Sequence, residues 1–410
     1  MPLRLGPALP PPVFSALRRR AIFECCKWDP QVEDVATIAP FPLWLSRSAW
    51  RELAHLAEAL HHETLALERA LMAEPGAAHT RALGLPPSLR RALAPRSWLR
   101  RANAAPAADG PRVLRFDFHR TVDGWRVSEV NSDVPGGYVE ASGVTALFAE
   151  ACGAPATGDP AGALARALAA TARRRGGDVA LVHATAYSDD RQVMEYLARR
   201  LRALDVVAHP CAPDALTLLH GDVRWQGRAL GALVRFFPAE WLDALSQRRL
   251  ARAFFRGLST PATNPGAALL TQSKRVPLLW DALGVAVPTW RALLPETRDV
   301  RALDARALAS DQWVLKPALG RVGADIALPG ATTARQRALI VKNARRWPGA
   351  WIAQRRFVTT ALSSEAGPRF PCLGVYTLDG RAVGIYGRLA ATPLVDHRAQ
   401  DVAVLLQEDA

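Results

Sequence analysis

Val113 to Thr121 and Trp125 to Asn131 are strand-like runs of mixed apolar and polar residues, with Val122-Asp123-Gly124 between them. Two such runs split by a Gly-containing turn close into an antiparallel β-hairpin. No other stretch constrains the fold as much, because alternation assigns every side chain to a face. A three-residue loop with Gly third is a common closure, since that position takes φ > 0. With Val122, Asp123 and Gly124 as the loop, Thr121 faces Trp125, Asp117 faces Glu129 and Arg115 faces Asn131. Those four polar groups then share one side of the sheet. Leu114, Phe116, Phe118 and Val130 enter a core on the other side.

Around this hairpin the chain divides by pattern. Residues 1–110 read as mostly helical. Trp50, Leu53, Ala57, Leu60, Thr64, Leu67 and Leu71 recur every three or four positions, which is one buried helix face. Residues 102–111 read as a linker. Between residues 158 and 262 a helix ends at Gly176-Gly177 and Asp178–His183 is a buried strand. Asp189–Leu204 is a helix, Asp205–Ala208 opens a second strand, and Ala232–Phe236 is a third. Strands alternating with helices predict a parallel sheet. Residues 263–410 supply further strands and helices, with a Gly loop at Gly320 to Gly323.

The bulk properties exclude some classes. The chain has 410 residues, enough for two or three subdomains around a buried core. No apolar run reaches the ~18–20 residues of a membrane helix. The start, with Pro10 to Pro12 and then Arg18 to Arg20, lacks the apolar stretch of a signal peptide. A cytoplasmic chain without a membrane partner is expected. Cys25, Cys26, Cys152, Cys211 and Cys372 show no Cys-x-x-Cys spacing, which predicts reduced thiols. The net charge of +14 raises nucleic acid as a partner, but the arginines are dispersed among alanines. A solvated surface without specific nucleic-acid binding is expected. The histidines, His119 and His183 among them, lack metal-ligand spacing. His119 shares strand parity with Asp117.

The polar face of the hairpin carries chemistry. Magnesium takes oxygen ligands and is often shared with substrate phosphates. Asp117, Glu129 and Asn131 offer two carboxylates and an amide oxygen, a set suited to two ions against ATP, and Arg115 is placed to meet charge on a transferring phosphoryl group. The alternative for the hairpin alone is an exposed polar face held by salt bridges. Lys274, in Gln272-Ser273-Lys274-Arg275, and Lys316, in Val314-Leu315-Lys316-Pro317, suit nucleotide phosphates. The Gly320-Arg321-Val322-Gly323 loop can lay backbone amides over them. The chain has no Walker P-loop and no dinucleotide fingerprint.

In this order, Arg-x-Asp-Phe, Glu-x-Asn-x-Asp-x-Pro, Ser-Lys, Leu-Lys-Pro and Gly-Arg-x-Gly resemble the C-terminal synthetase of glutathionylspermidine synthase. Val234-Arg235-Phe236-Phe237-Pro238-Ala239-Glu240-Trp241 resembles that family's segment before the nucleotide-binding part. The resemblance runs from about Trp28 to near the C-terminus. It implies an α/β ATP-grasp fold in two segments, 111–157 and 263–410, around an inserted parallel-sheet domain at 158–262, with a helical N-terminal region at 1–110. It implies Asp117, Glu129 and Asn131 as magnesium ligands and Arg115 as the group that stabilises the acyl phosphate. Lys274, Lys316 and the loop of Gly320, Arg321 and Gly323 would hold ATP. Gln354, in Trp351-Ile352-Ala353-Gln354, would lie near adenine, and Arg388 would be the late phosphate arginine.

The sequence also departs from that family. Bifunctional members carry an N-terminal cysteine amidase, and these 410 residues are expected to have no room for it. The family's Arg-Glu-Gly is Arg321-Val322-Gly323, and its late Gly-Ile-Arg-Glu is Gly384-Ile385-Tyr386-Gly387-Arg388. The reaction implied is ATP-dependent joining of a small-molecule carboxylate to an amine through an acyl phosphate. The alternative is a module that binds nucleotide without turnover and acts as a binding partner.

Overall fold

The hairpin forms one edge of an antiparallel sheet whose strands run in the order Gln400–Val402, Arg381–Ala390, Gly367–Leu378, Val113–Thr121 and Gly124–Asn131. These positions come from a computed structural model that describes residues 2–28, 31–32, 35–73, 78–93, 110–320, 323 and 325–409. Arg321 and most of the expected linker at 102–111 lie outside the described residues. Arg115 pairs with Asn131 and Asp117 with Glu129, the pairing expected from a three-residue turn.

The turn itself is different from the expected one. Thr121 pairs with Gly124, not Trp125, so the loop has two residues rather than three. The missing residue returns as a β-bulge at Ser128, because Phe118 pairs with Val127 while Asp117 pairs with Glu129. A bulge inserts one residue into one strand and leaves the flanking pairs intact. The tighter turn and the bulge cancel, and the register at the polar end is the expected one. Leu114, Phe116 and Phe118 are wholly buried on the other face, where Phe116 meets Trp290.

The helix Arg47–Met72 packs on the strands Gly367–Leu378 and Arg381–Ala390. Ser46 caps it by accepting a hydrogen bond from the Ala49 amide, and Leu53, Ala57, Leu60, Thr64, Leu67 and Leu71 form its buried face. His61 joins that face through a 2.8 Å hydrogen bond to Thr377. The region up to residue 110 is not only helical. Leu3–Leu5 and Leu43–Ser46 form a three-stranded sheet with Val404–Gln407, which ties the start of the chain to its end.

A second sheet holds Ala208–Cys211, Asp178–His183 and Arg228–Phe236 in parallel, with helices Pro160–Arg175 and Ser188–Arg202 packed against it. Asp222–Trp225 and Leu216–Leu219 extend it as an antiparallel hairpin. A third, small sheet has the order Thr297–Asp299, Trp351–Arg355, Trp313–Pro317. All five cysteines are free thiols. Among the described residues no helix is long and apolar enough to cross a membrane.

Candidate active site

A cavity of about 500 Å³ lies against the polar end of the hairpin, lined from the central, parallel and small sheets. Asp117 is its anchor and is buried. Arg115 grips it with two hydrogen bonds, Nε to Oδ1 at 2.8 Å and Nη2 to Oδ2 at 3.1 Å. Arg388 Nη2 reaches Oδ2 at 2.7 Å and Asn131 Nδ2 reaches it at 3.3 Å. Burial opposes the charge on Asp117, but the two guanidinium groups outweigh it and hold its pKa well below the carboxylate range. Arg115 also donates to the Gly136 carbonyl at 2.6 Å.

This clamp depends on Gly374, which pairs with Asp117 from the next strand. A Cβ there would lie 2.7 Å from Arg115 Cδ and 3.0 Å from Asp117 Oδ1. A glycine inside a strand often marks such a close approach.

Across the hairpin, Glu129 Oε2 is 2.9 Å from Lys274 Nζ, which also donates to the Gly320 carbonyl at 2.8 Å. Burial opposes ionisation of Glu129, and Lys274 outweighs it, so its pKa falls below the usual value. Lys316 donates to Gln354 Oε1 at 2.7 Å and to the Ser128 carbonyl at 3.2 Å. Burial pushes Lys316 down to about 8, against the pull of Glu129. Gln354 spends its amide on Thr297, at 3.1 Å, so its side chain orients Lys316. His119 shares a 3.0 Å hydrogen bond with Ser128 Oγ in the same wall, and burial pushes it down to about 4. His183 bonds the Leu181 carbonyl and stays outside the cavity lining.

Asp117, Glu129, Asn131, Arg115, Lys274, Lys316, Gln354, Arg388, Gly320 and Gly323 therefore line one space, while Arg321 lies outside the described residues. Lys27, Glu140, Tyr386 and Asp401 line it too, and sequence reading did not single them out. They come from four distant segments with no shared spacing. Only Gly374, as a strand glycine, carried a local signal.

Beside the polar end of the hairpin, Arg115, Lys274, Lys316 and Arg388 lie against Asp117 and Glu129, while the rest of the wall carries Lys27, Arg355 and Arg356 with Glu140, Asp189, Asp190 and Asp401. The excess of cations is local to the hairpin end, and there it suits a polyphosphate. Among the described residues no three His, Cys, Asp or Glu groups gather into a self-sufficient metal site. Two carboxylates with an adjacent amide fit magnesium in its other mode, where one or two carboxylates share the ion with substrate phosphates.

Residues 43–407 match the family described as glutathionylspermidine synthase pre-ATP-grasp. The chain belongs to that family. Members of the glutathionylspermidine synthase family are generally ATP-dependent ligases that use ATP and Mg²⁺. The structure is similar to a glutathione synthetase-like effector from Globodera pallida in its apo form. The TM-score is 0.61 at 10% identity, over 97% of this chain and 98% of the other. At that identity the likeness shows the fold alone. No curated protein matches the sequence.

Proposed function

We propose that the protein is an ATP- and magnesium-dependent ligase that joins a carboxylate to an amine. The observation that carries this reading is a cavity in which Arg115, Arg388, Lys274 and Lys316 lie around Asp117 and Glu129. A substrate carboxylate oxygen attacks the γ-phosphorus of ATP. The bond to the β-phosphate oxygen breaks, and ADP leaves with the electron pair. An amine nitrogen then attacks the acyl carbon, the carbon–oxygen bond to phosphate breaks, and the nitrogen gives up a proton.

The protein's part is positioning and charge stabilisation. Lys274 and Lys316 hold the phosphates, with Gly320 and Gly323 beside them. Arg115 and Arg388 meet charge on the phosphoryl group. Asp117, Glu129 and Asn131 are the residues that would hold magnesium, which supplies charge neutralisation on the phosphates when bound.

One observation favours a second reading, nucleotide binding without turnover. Both oxygens of Asp117 are already engaged by Arg115, Arg388 and Asn131. A phosphate-release screen over amino acids, short peptides and polyamines, with mass spectrometry of the product, separates the two. An amide product with ADP supports the ligase. Magnesium–ATP binding without phosphate release from any pair supports the second reading. A folded protein that shows no ATP binding by calorimetry sinks both. Bound nucleotide should also stabilise the fold by about 2.7 kcal/mol at 100-fold excess over its dissociation constant.

A further inference from the structure

Lys27 follows the helix Pro11–Cys25 and precedes residue 43, where the family match begins. Its ammonium is buried in the wall of the cavity, 2.6 Å from Glu140 Oε1 and 3.3 Å from Asp401 Oδ2. The other oxygen of Asp401 accepts the Tyr386 hydroxyl at 2.7 Å. The Tyr386 ring carries both site arginines, with the guanidinium carbons of Arg115 and Arg388 at 5.3 and 5.4 Å from its centroid. Arg115 and Arg388 in turn hold Asp117. An unbroken run of contacts thus joins the N-terminal segment to the centre of the site.

The backbone accommodates this arrangement. Gly137 has φ +96°, and a Cβ there would lie 2.5 Å from the Tyr386 ring. Tyr386 and Arg388 are two residues apart on one strand, so both side chains face the same side. Arg388 is the register partner of Asp401, which places the tyrosine's anchor beside the arginine it supports.

We propose that Lys27 is a positioning residue of the site. Its ammonium fixes Asp401, which fixes the Tyr386 hydroxyl, and the Tyr386 ring then holds Arg115 and Arg388 against Asp117. The first 42 residues, outside the family match, thereby complete the site. The physical need is clear from the charges. Glu140 and Asp401 are two carboxylates in one buried corner, and Lys27 is the cation between them. Without it, burial favours the protonated form of Asp401 and the Tyr386 hydroxyl loses an ionised anchor.

The groups facing Asp401 are Lys27 from the N-terminal segment, Glu140 from the short helix Val139–Val144 after the hairpin, and Tyr386 and Arg388 from the neighbouring strand. Burial, opposed by Lys27 and reinforced by Glu140, pushes Asp401 up to about 6. Removing Lys27 raises it further. Turnover that needs ionised Asp401 falls as pH drops through that value, so the acid limb of the rate profile moves to higher pH in the variant.

The role of Lys27 in turnover rests on the ligase reading, and the test separates the two. Lys27→Met and Lys27→Arg are compared with the wild type by phosphate release, KM for ATP, pH profile and thermal midpoint. Lys27→Met should lose between about tenfold and 100-fold in kcat, as misplacement of reacting groups does. Its KM for ATP should stay within about twofold, since Lys274 and Lys316 are untouched. Its acid limb should rise by about one pH unit, and Lys27→Arg should restore both rate and limb. An unchanged kcat and limb would overturn the proposal. So would a loss that tracks the melting point and is not rescued by arginine.

A wild type that releases no phosphate sinks the ligase reading, and crystal structures of wild type and Lys27→Met then decide the inference. Arg388 remaining within about 3 Å of Asp117 in the variant overturns it, and a displaced Tyr386 with a broken Arg388–Asp117 contact supports it. Where Lys27→Met does not fold, Tyr386→Phe cuts the same run of contacts at the hydroxyl: a fall in kcat at near-constant KM for ATP, or a broken Arg388–Asp117 contact, supports the inference, and an unchanged kcat or a retained contact overturns it.

Discussion

Arg235 and Asp133 form an ion pair with no exposed surface on either side chain, Nη2 to Oδ1 at 2.5 Å. The pair joins the exit of the site hairpin to the last turn of a parallel strand. Arg235 also donates to the carbonyls of Asn264 and Phe237, and the second Asp133 oxygen accepts the Ala239 amide at 3.0 Å. Gln272 accepts the amides of Ser132 and Asp133. The segment that leaves Asn131 is therefore held from two other parts of the chain, which fixes Glu129 and Asn131 relative to the cavity.

Breaking this pair should be expensive in stability. Replacing one member of a buried ion pair leaves an uncompensated charge and costs about 3–5 kcal/mol. Arg235→Met should lower the unfolding free energy by that amount in a denaturant titration. A cost below about 1 kcal/mol, the range of an exposed pair, would show that the two sheets are joined by other contacts.

Gly374→Ala tests the clamp on Asp117. The added methyl meets Arg115 Cδ and Nε at 2.7 and 2.9 Å, so the guanidinium must move. Overpacking of this kind costs about 1–3 kcal/mol. Phosphate release should fall by more than ATP affinity, because Lys274 and Lys316 lie across the hairpin and are undisturbed. Full turnover in a folded Gly374→Ala protein would show that the two-bond grip of Arg115 on Asp117 is dispensable.

Much of this arrangement was legible where physics is local. The helix Arg47–Met72 follows from its 3.6-residue pattern, and the helix ending at Gly176 from its C-terminal glycine, which takes φ +74°. The hairpin register at Asp117 and Glu129 was counted from a three-residue turn that does not form, and it is the expected one only because the bulge at Ser128 offsets the tighter turn. The bulge at Ser128 has a local mark, since the buried apolar positions step from Trp125 and Val127 to Val130 and so change parity there, and counting the strand as one regular run misses it. Leu3–Leu5 is too short to show a period, and its partner strands lie far along the chain. Lys27, Tyr386 and Asp401 meet only in three dimensions. The family resemblance implied Gln354 near adenine, but the hydrogen bonds it makes depend on Thr297 and Lys316, which its own segment does not reveal.

Lys316 should make nucleotide affinity depend on pH. Its ammonium rests on two neutral acceptors, Gln354 and Ser128, and burial brings its pKa down to about 8. Under the proposed role the charged form is the one that binds phosphate, so affinity for magnesium–ATP should be full near pH 7 and fall as pH rises through 8. The stability of the free protein runs the other way. The folded pKa lies below the unfolded one, so the unfolded chain binds more protons above pH 8 and this group's contribution to stability rises with pH there. Calorimetric titrations from pH 6.5 to 9.5, a span chosen to bracket about one unit or more on each side, should show the loss in wild type. Lys316→Arg should flatten it, since arginine stays charged. A wild-type affinity that is level across this range would remove Lys316 from the phosphate contacts.

Arg115 and Glu129 should part company when each is replaced. Arg115 grips Asp117 through two nitrogens and keeps a third on Gly136, so its planar fork matters as well as its charge. Arg115→Lys keeps the charge and loses the fork. If the arginine stabilises charge that moves off ATP, turnover should fall about 100-fold, as with other single-donor losses, while ATP affinity changes little. Glu129→Gln removes the counter-charge of Lys274 and one oxygen of the magnesium set. It should weaken magnesium-dependent ATP binding together with turnover. The competing reading makes Arg115 a structural partner of Asp117 alone, and the geometry gives that reading weight, because the pair is already complete without a ligand. The two separate in parallel measurements of ATP affinity, thermal midpoint and phosphate release. Under the structural reading Arg115→Lys melts earlier and turns over normally once folded. Under the mechanistic reading the rate falls at temperatures where the variant is fully folded, and that difference decides whether the buried Arg115–Asp117 pair belongs to the chemistry or only to the fold.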